Sequence, residues 1–147
     1  MTYAKLIQNI LDIAIHQQGI SMAFDGDIYE LNNMQSANYP AFIVAPTQPQ
    51  DETMNYYVFH LTLYYVDRLQ GANNQYGSAE TSLVHSAGIS ILGNIIKKLR
   101  FNRDIMDIDE NIQYTCWTDT EIFADKANGV YCNISITVPK DSTCPSD

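Results

Sequence analysis

Apolar residues first recur at helical spacing, in a segment from Thr2 to Gln18. Leu6, Ile10, Ile13 and Ala14 form one stripe, and Tyr3, Ile7 and Leu11 widen it. Thr2 stands where an N-cap belongs and Gly19 where a helix terminator belongs. From Ile20 to Pro40 the pattern is short and mixed. Asp25-Gly26-Asp27 reads as a turn between two small extended pieces, Met22–Phe24 and Ile28–Leu31, and Asn32–Asn38 reads as polar loop. Ala41-Phe42-Ile43-Val44-Ala45 is a continuous apolar run with prolines on both sides. It is too short for a helix and predicts a strand buried on both faces.

Met54–Val66 alternates with period two. Tyr57, Phe59, Leu61, Leu63 and Tyr65 share one face, and Tyr56, Val58, His60, Thr62 and Tyr64 share the other. At about 3.3 Å per residue such a strand runs roughly 40 Å, longer than the usual strand, which predicts that part of it projects toward a neighbour. Gln70–Ser78 is a polar loop. A second helix is expected over Ala79–Leu99, capped by Ser78, with Val84, Ile91, Leu92, Ile95, Ile96 and Leu99 facing the core. Gly88 and Gly93 either weaken it or let it pack closely on a sheet. After an acidic link, Asp104–Glu110, strands are expected at 112–123 and 130–138. Asn128-Gly129 reads as the turn of that antiparallel hairpin. The fold class expected is α+β, a mainly antiparallel sheet with two helices packed on one face. Residues 1–139 form a single domain and 140–147 a flexible C-terminal tail.

Composition then narrows the function. The chain of 147 residues is 46% hydrophobic and 17% charged, the balance of a folded domain. Its 17 acidic and 8 basic side chains leave a formal charge of −9, a field that repels phosphates and argues against wrapping nucleic acid. Lys97, Lys98, Arg100 and Arg103 cluster at the end of the second helix, where positive charge complements the helix dipole. The ten tyrosines suit surfaces that are half apolar and half wet, at sheet edges or between subunits. Cys116, Cys132 and Cys144 have no CxxC or Cys/His spacing, so they predict free thiols rather than a zinc site. The segment Met1-Thr2-Tyr3-Ala4-Lys5 lacks the apolar core of a signal peptide, and the expectation is a soluble protein made in the cytoplasm.

Candidate chemistry is sparse. His16, His60 and His85 are the only histidines. None has a cysteine or carboxylate at ligand spacing, and no spacing spells out a Ser/His/Asp set. Asp104–Glu110 lacks the glycine and ligand rhythm of a calcium loop, so its acids, like Asp25 and Asp27, are expected to be solvated. There is no phosphate-binding glycine loop, GxSxG or HExxH. No catalytic, cofactor-binding or metal residue is therefore nominated, and no cofactor is expected.

The order of elements resembles one known family, the tail-terminator and tail-completion proteins at the head–tail junction of tailed bacteriophages. It is most similar to versions from phages of gut Bacteroidetes, including the crAss-like group. The parts that carry the resemblance are the helix 2–18, then Tyr39-Pro40-Ala41-Phe42-Ile43-Val44, then the long strand closing in Tyr64-Tyr65-Val66-Asp67-Arg68. The helix 79–99 and the segment Phe123–Val130 complete it. The resemblance implies a structural virion protein, not an enzyme, whose homo-oligomeric ring (sixfold or a multiple) closes around the DNA channel. Its partners would be other neck or tail proteins, with DNA passing through unbound and no membrane. The alternatives are a small cytoplasmic enzyme (a hydrolase or nuclease) and a binding module or chaperone.

Overall fold

The computed structural model describes residues 1–28, 30, 39–47, 50–68, 79–118 and 127–140. Two helices, α1 (Tyr3–Ile15) and α2 (Ala79–Arg100), lie on one face of a seven-stranded sheet. The strands are β1 (Met22–Asp25), β2 (Ala41–Pro46), β3 (Asp51–Glu52), β4 (Tyr56–Arg68), β5 (Asp107–Ile108), β6 (Tyr114–Thr118) and β7 (Ala127–Pro139). The main path runs β1-β2-β4-β7-β5, with β3 on β4 and β6 on β7. All pairs are antiparallel except β1 with β2, which is parallel and makes the sheet mixed. This is the α+β arrangement that the alternation of periods implies.

The first helix begins as its sequence dictates. The Thr2 hydroxyl accepts a hydrogen bond from the Lys5 N–H at 3.2 Å. It ends at Ile15, earlier than Gln18, and Gly19 takes a left-handed φ of +98° in the turn that follows. The run Ala41–Val44 is buried on both faces, as its unbroken apolar character requires. Phe42 and Val44 join the main core under the helices, while Ala41 and Ile43 join a smaller cluster with Val66 and Ala127 on the opposite side. Of the two extended pieces expected around Asp25-Gly26-Asp27, only the first forms. Ile28 and Glu30 instead belong to a tight helical turn, closed when Glu30 Oε1 accepts from the Asp27 N–H at 3.2 Å.

The long strand β4 is central rather than projecting, which corrects the expectation drawn from its length. β7 pairs with it at every residue from Tyr56 to Arg68, and β2 takes its other edge from Leu61 to Val66. β3 covers Tyr57 and Val58. At His60, between these two partners, the Gln50 side chain stands in for a strand. Its Oε1 accepts from the His60 N–H at 2.6 Å and its Nε2 donates to the His60 carbonyl at 3.0 Å. Length here serves intrachain pairing, and no backbone edge of β4 is left for a neighbour between Leu61 and Val66.

Asn128-Gly129 is not a turn. Both residues sit inside β7, with Gly129 opposite Val66 on one side and Trp117 on the other. Gly129 is required by space: a Cβ there would lie 2.1 Å from the Tyr65 carbonyl oxygen. Asn128 is fully buried, and its side-chain amide has no hydrogen-bond partner among the described residues. The hairpin turn expected at 128–129 is therefore not there, and the residues that connect β6 to β7, 119–126, lie outside the described residues. So do the end of the strand 112–123, Leu31 of the second extended piece, the expected loops Asn32–Asn38 and Gln70–Ser78 with the Ser78 cap, and the tail from Asp141 with Cys144. Lys140, assigned to the tail, is anchored. Its Nζ meets Glu52 at 2.6 Å and its N–H donates to the Asn55 carbonyl.

The second helix runs one residue past its expected end. Its stripe, Leu92, Ile95, Ile96 and Leu99, is buried against the sheet. Gly88 brings it close: a Cβ at that position would stand 2.7 Å from Val130 and 2.8 Å from the Tyr65 ring. Among the described residues, no helix is long and apolar enough to cross a membrane.

Tyr65 and Cys132 are buried in the core between α2 and the sheet. Burial, with a smaller push from the Asp67 charge, raises the Tyr65 phenol from its ordinary 10.0 to about 12. Burial raises the Cys132 thiol from 9.0 to about 12. The unfolded chain ionises these groups first, so the stability they hold is complete below about pH 9 and is lost as pH rises toward 12. The thermal midpoint should accordingly fall across that window, and Tyr65→Phe should lessen the fall. A midpoint that stays level from pH 9 to 12 would contradict this packing.

Candidate functional site

The helices cover only one face of the β4–β7 core. The other face carries Tyr56, Val58, His60, Thr62 and Tyr64 from β4, beside Tyr131, Asn133, Ser135 and Thr137 from β7. Cross-strand register puts His60 opposite Ser135, Thr62 opposite Asn133 and Tyr64 opposite Tyr131. The two tyrosine rings meet with centroids 5.8 Å apart. Where the face is polar, its side chains hydrogen-bond one another. Thr62 donates to Asn133 Oδ1 at 2.6 Å, and its hydroxyl lies 2.8 Å from that of Thr47.

Next to this chain of hydrogen bonds lies a concavity of about 390 Å³, lined by Thr47, Asp51, His60, Asp109, Asn133 and Ser135. His60 bridges two of these. Its Nε2 is 2.8 Å from Asp51 Oδ2 and its Nδ1 is 2.7 Å from the Ser135 hydroxyl. An ionised carboxylate only accepts, so Nε2 carries the proton and, in the neutral ring, Ser135 donates to Nδ1. Asp109 enters from the far edge, its Oδ2 accepting the Ser135 N–H at 3.0 Å.

Asp109 follows β5, so the segment 104–110 is more than a link, because Asp107 and Ile108 pair with β7, while its acids are solvated as expected. Ile108 is 2% exposed and pairs with Ile136, and Arg100 donates to the carbonyls of Ile108 and Asp109. The link is drawn onto the sheet by one apolar residue and one guanidinium. Asp104, Asp107, Asp109 and Glu110 are all exposed.

The three histidines thus separate. His16 bonds the Asp12 carbonyl one turn back at 2.7 Å, and His85 Nε2 donates to the Trp117 carbonyl at 2.9 Å, so both are tied to backbone. Among the described residues, His60 is the one of the three whose ring bonds other side chains. The Ser135–His60–Asp51 line is an arrangement that no spacing in the sequence spells out. In an acyl-transfer site the serine is backed by free backbone N–H groups that hold an oxyanion. Here the Ser135 N–H is already given to Asp109. Among the described residues, no group of three or more His, Cys, Asp or Glu side chains is arranged to hold a metal ion. Cys116 and Cys132 are both free thiols, one exposed and one buried.

Taken together, fold and surface define a two-layer α+β domain: helices on one side, and on the other a half-buried face of tyrosines and hydrogen-bonded polar groups. Compared with known families and curated proteins, the chain matches no family model and no curated sequence.

Proposed function

We propose that this chain is an assembly subunit without catalytic activity, one copy of a homo-oligomeric ring in the neck or tail of a virion. The observation that carries the reading is the face of β4 and β7 that neither helix covers. Two strands of 13 residues, fully paired, present Tyr56, Tyr64 and Tyr131 amid groups able to hydrogen-bond. Rigid aromatic surface with a polar rim is what subunit contacts use. The order of elements, similar to that of tail-terminator and tail-completion proteins, supplies the setting at the head–tail junction. A sixfold ring or a multiple of six follows from that likeness. A charge of −9 suits a channel wall past which DNA slides unbound.

Paired substitutions test the reading, because the two faces of β4 now have distinct environments. Tyr56→Ser with Tyr64→Ser should abolish ring formation, seen by native mass spectrometry and electron microscopy at raised protein concentration, with the circular dichroism unchanged and only the smaller stability loss that follows from Tyr64 ceasing to cover the Ile43 cluster. Tyr57→Ser with Tyr65→Ser should instead lower stability by about 3–5 kcal/mol, since Tyr65 is buried and Tyr57 stacks on Phe59. Wild-type protein that never associates, or an open-face pair that assembles normally, would count against the proposal. The hydrogen-bonded Ser135–His60–Asp51 line favours one rival, a hydrolase. Labelling of Ser135 by a fluorophosphonate probe, lost in His60→Ala, would establish that rival instead.

A further inference from the structure

We propose that the concavity on the open sheet face receives a lysine side chain, Lys97 or Lys98, from a second copy of this chain. The inference rests on the assembly reading and names the contact that joins one subunit to the next.

The concavity presents acceptors without a matching cation. Asp51 and Asp109 line it, and among the described residues neither lysine nor arginine does. Each carboxylate offers about four lone-pair sites. Asp51 commits one to His60 and Asp109 one to the Ser135 N–H; both carboxylates are exposed, so their remaining capacity is open to a donor from outside. An ammonium group carries three N–H donors and the opposite charge, and matches such a pocket; a phosphate or an acidic peptide is repelled.

The chain supplies that group on its other side. Lys97 and Lys98 sit exposed in the last turn of α2, and neither has an ion-pair partner among the described residues. Their neighbour Arg100 is spent on the carbonyls of Ile108 and Asp109, and Lys140 on Glu52. The helix-dipole role expected of the whole cluster thus leaves two ammonium groups with no carboxylate of their own among the described residues. The lysines belong to the helix layer and the concavity to the sheet face that neither helix covers. One contact therefore joins the helix side of one copy to the sheet side of the next. Such a contact is heterologous: each added copy leaves a free lysine pair at one end and a free concavity at the other. It closes into a ring when the rotation per copy divides a full turn.

The test uses the full chain and charge reversal on each side. Lys97→Glu with Lys98→Glu should weaken self-association by at least about tenfold in sedimentation velocity, and salt near 1 M should weaken the wild type in the same direction. Asp51→Lys should fail to associate alone. Mixed one to one, the two variants should associate again. In an alternating ring each introduced glutamate meets an introduced lysine, and each wild-type lysine meets an Asp51. Thermal midpoints of each variant check folding. If Asp51→Lys is unfolded, the lysine variant decides by itself, since both its residues are exposed. Wild-type rings that persist in Lys97→Glu/Lys98→Glu overturn this contact and leave the assembly reading standing. Wild-type protein that stays monomeric at every salt and concentration overturns both.

Discussion

Gly129→Ala is expected to cost about 4 kcal/mol or more and to leave the domain largely unfolded in a thermal melt followed by circular dichroism. The added methyl would stand 2.1 Å from the Tyr65 carbonyl oxygen and 2.9 Å from the Trp117 ring. Neither can step aside. Tyr65 lies in the central strand, held by β2 on one edge and β7 on the other, and Trp117 lies in β6, registered directly on Gly129. Relief would mean pulling β7 off β4, at the pairing that forms the middle of the sheet. Gly93→Ala supplies the contrast. Its methyl would meet only the Tyr114 hydroxyl at 3.4 Å, an ordinary contact, and alanine favours the helix by up to about 1 kcal/mol. A Gly129→Ala protein that melts within about 1 kcal/mol of the wild type would mean that this register is wrong.

Phe42→Ala should cost about 3–5 kcal/mol and Ile43→Ala about 2–5 kcal/mol, measured as shifts of the denaturant midpoint at constant slope. Neighbouring residues of a strand point to opposite faces, so a strand with one wet face would register only one of these losses. Both side chains here are fully buried. Phe42 packs beneath the helices, and Ile43 packs with Val66 and Ala127 on the other side, where Tyr39, Tyr64 and Trp117 cover it. A loss below about 1 kcal/mol for Ile43→Ala would show that this second cluster is open to water.

The paired result for Phe42 and Ile43 bears on what was legible without coordinates. Ala41-Phe42-Ile43-Val44-Ala45 announces burial on both faces by having no polar position. Tyr56–Arg68 announces two unlike faces by alternating, and Leu92, Ile95, Ile96 and Leu99 announce one helix face. These are local patterns, and a chain cannot satisfy them any other way while keeping its apolar groups from water. Asn128-Gly129 shows where local chemistry misleads. The dipeptide suits a turn, yet its glycine answers to the Tyr65 carbonyl, a neighbour 64 positions earlier in the chain. Likewise the overlong β4 suggests a free end only until β7 is laid along all of it.

The candidate site was half legible. Alternation alone assigns His60 to the polar face of β4 and Ser135 to the polar face of β7. It cannot say that they stand opposite each other, because they are 75 residues apart and a shift of two residues would preserve both patterns. Asp51 and Asp109 were visible only as loop acids. They reach His60 and Ser135 because β3 and β5 pair with the outer edges of the same two strands. Hydrophobic period thus determined which elements form and which faces they bury, since burial is a property each segment carries by itself. Which polar side chains meet, and which glycine must be a glycine, was decided by strand register. Register is a property of two distant segments at once, and neither segment encodes it alone.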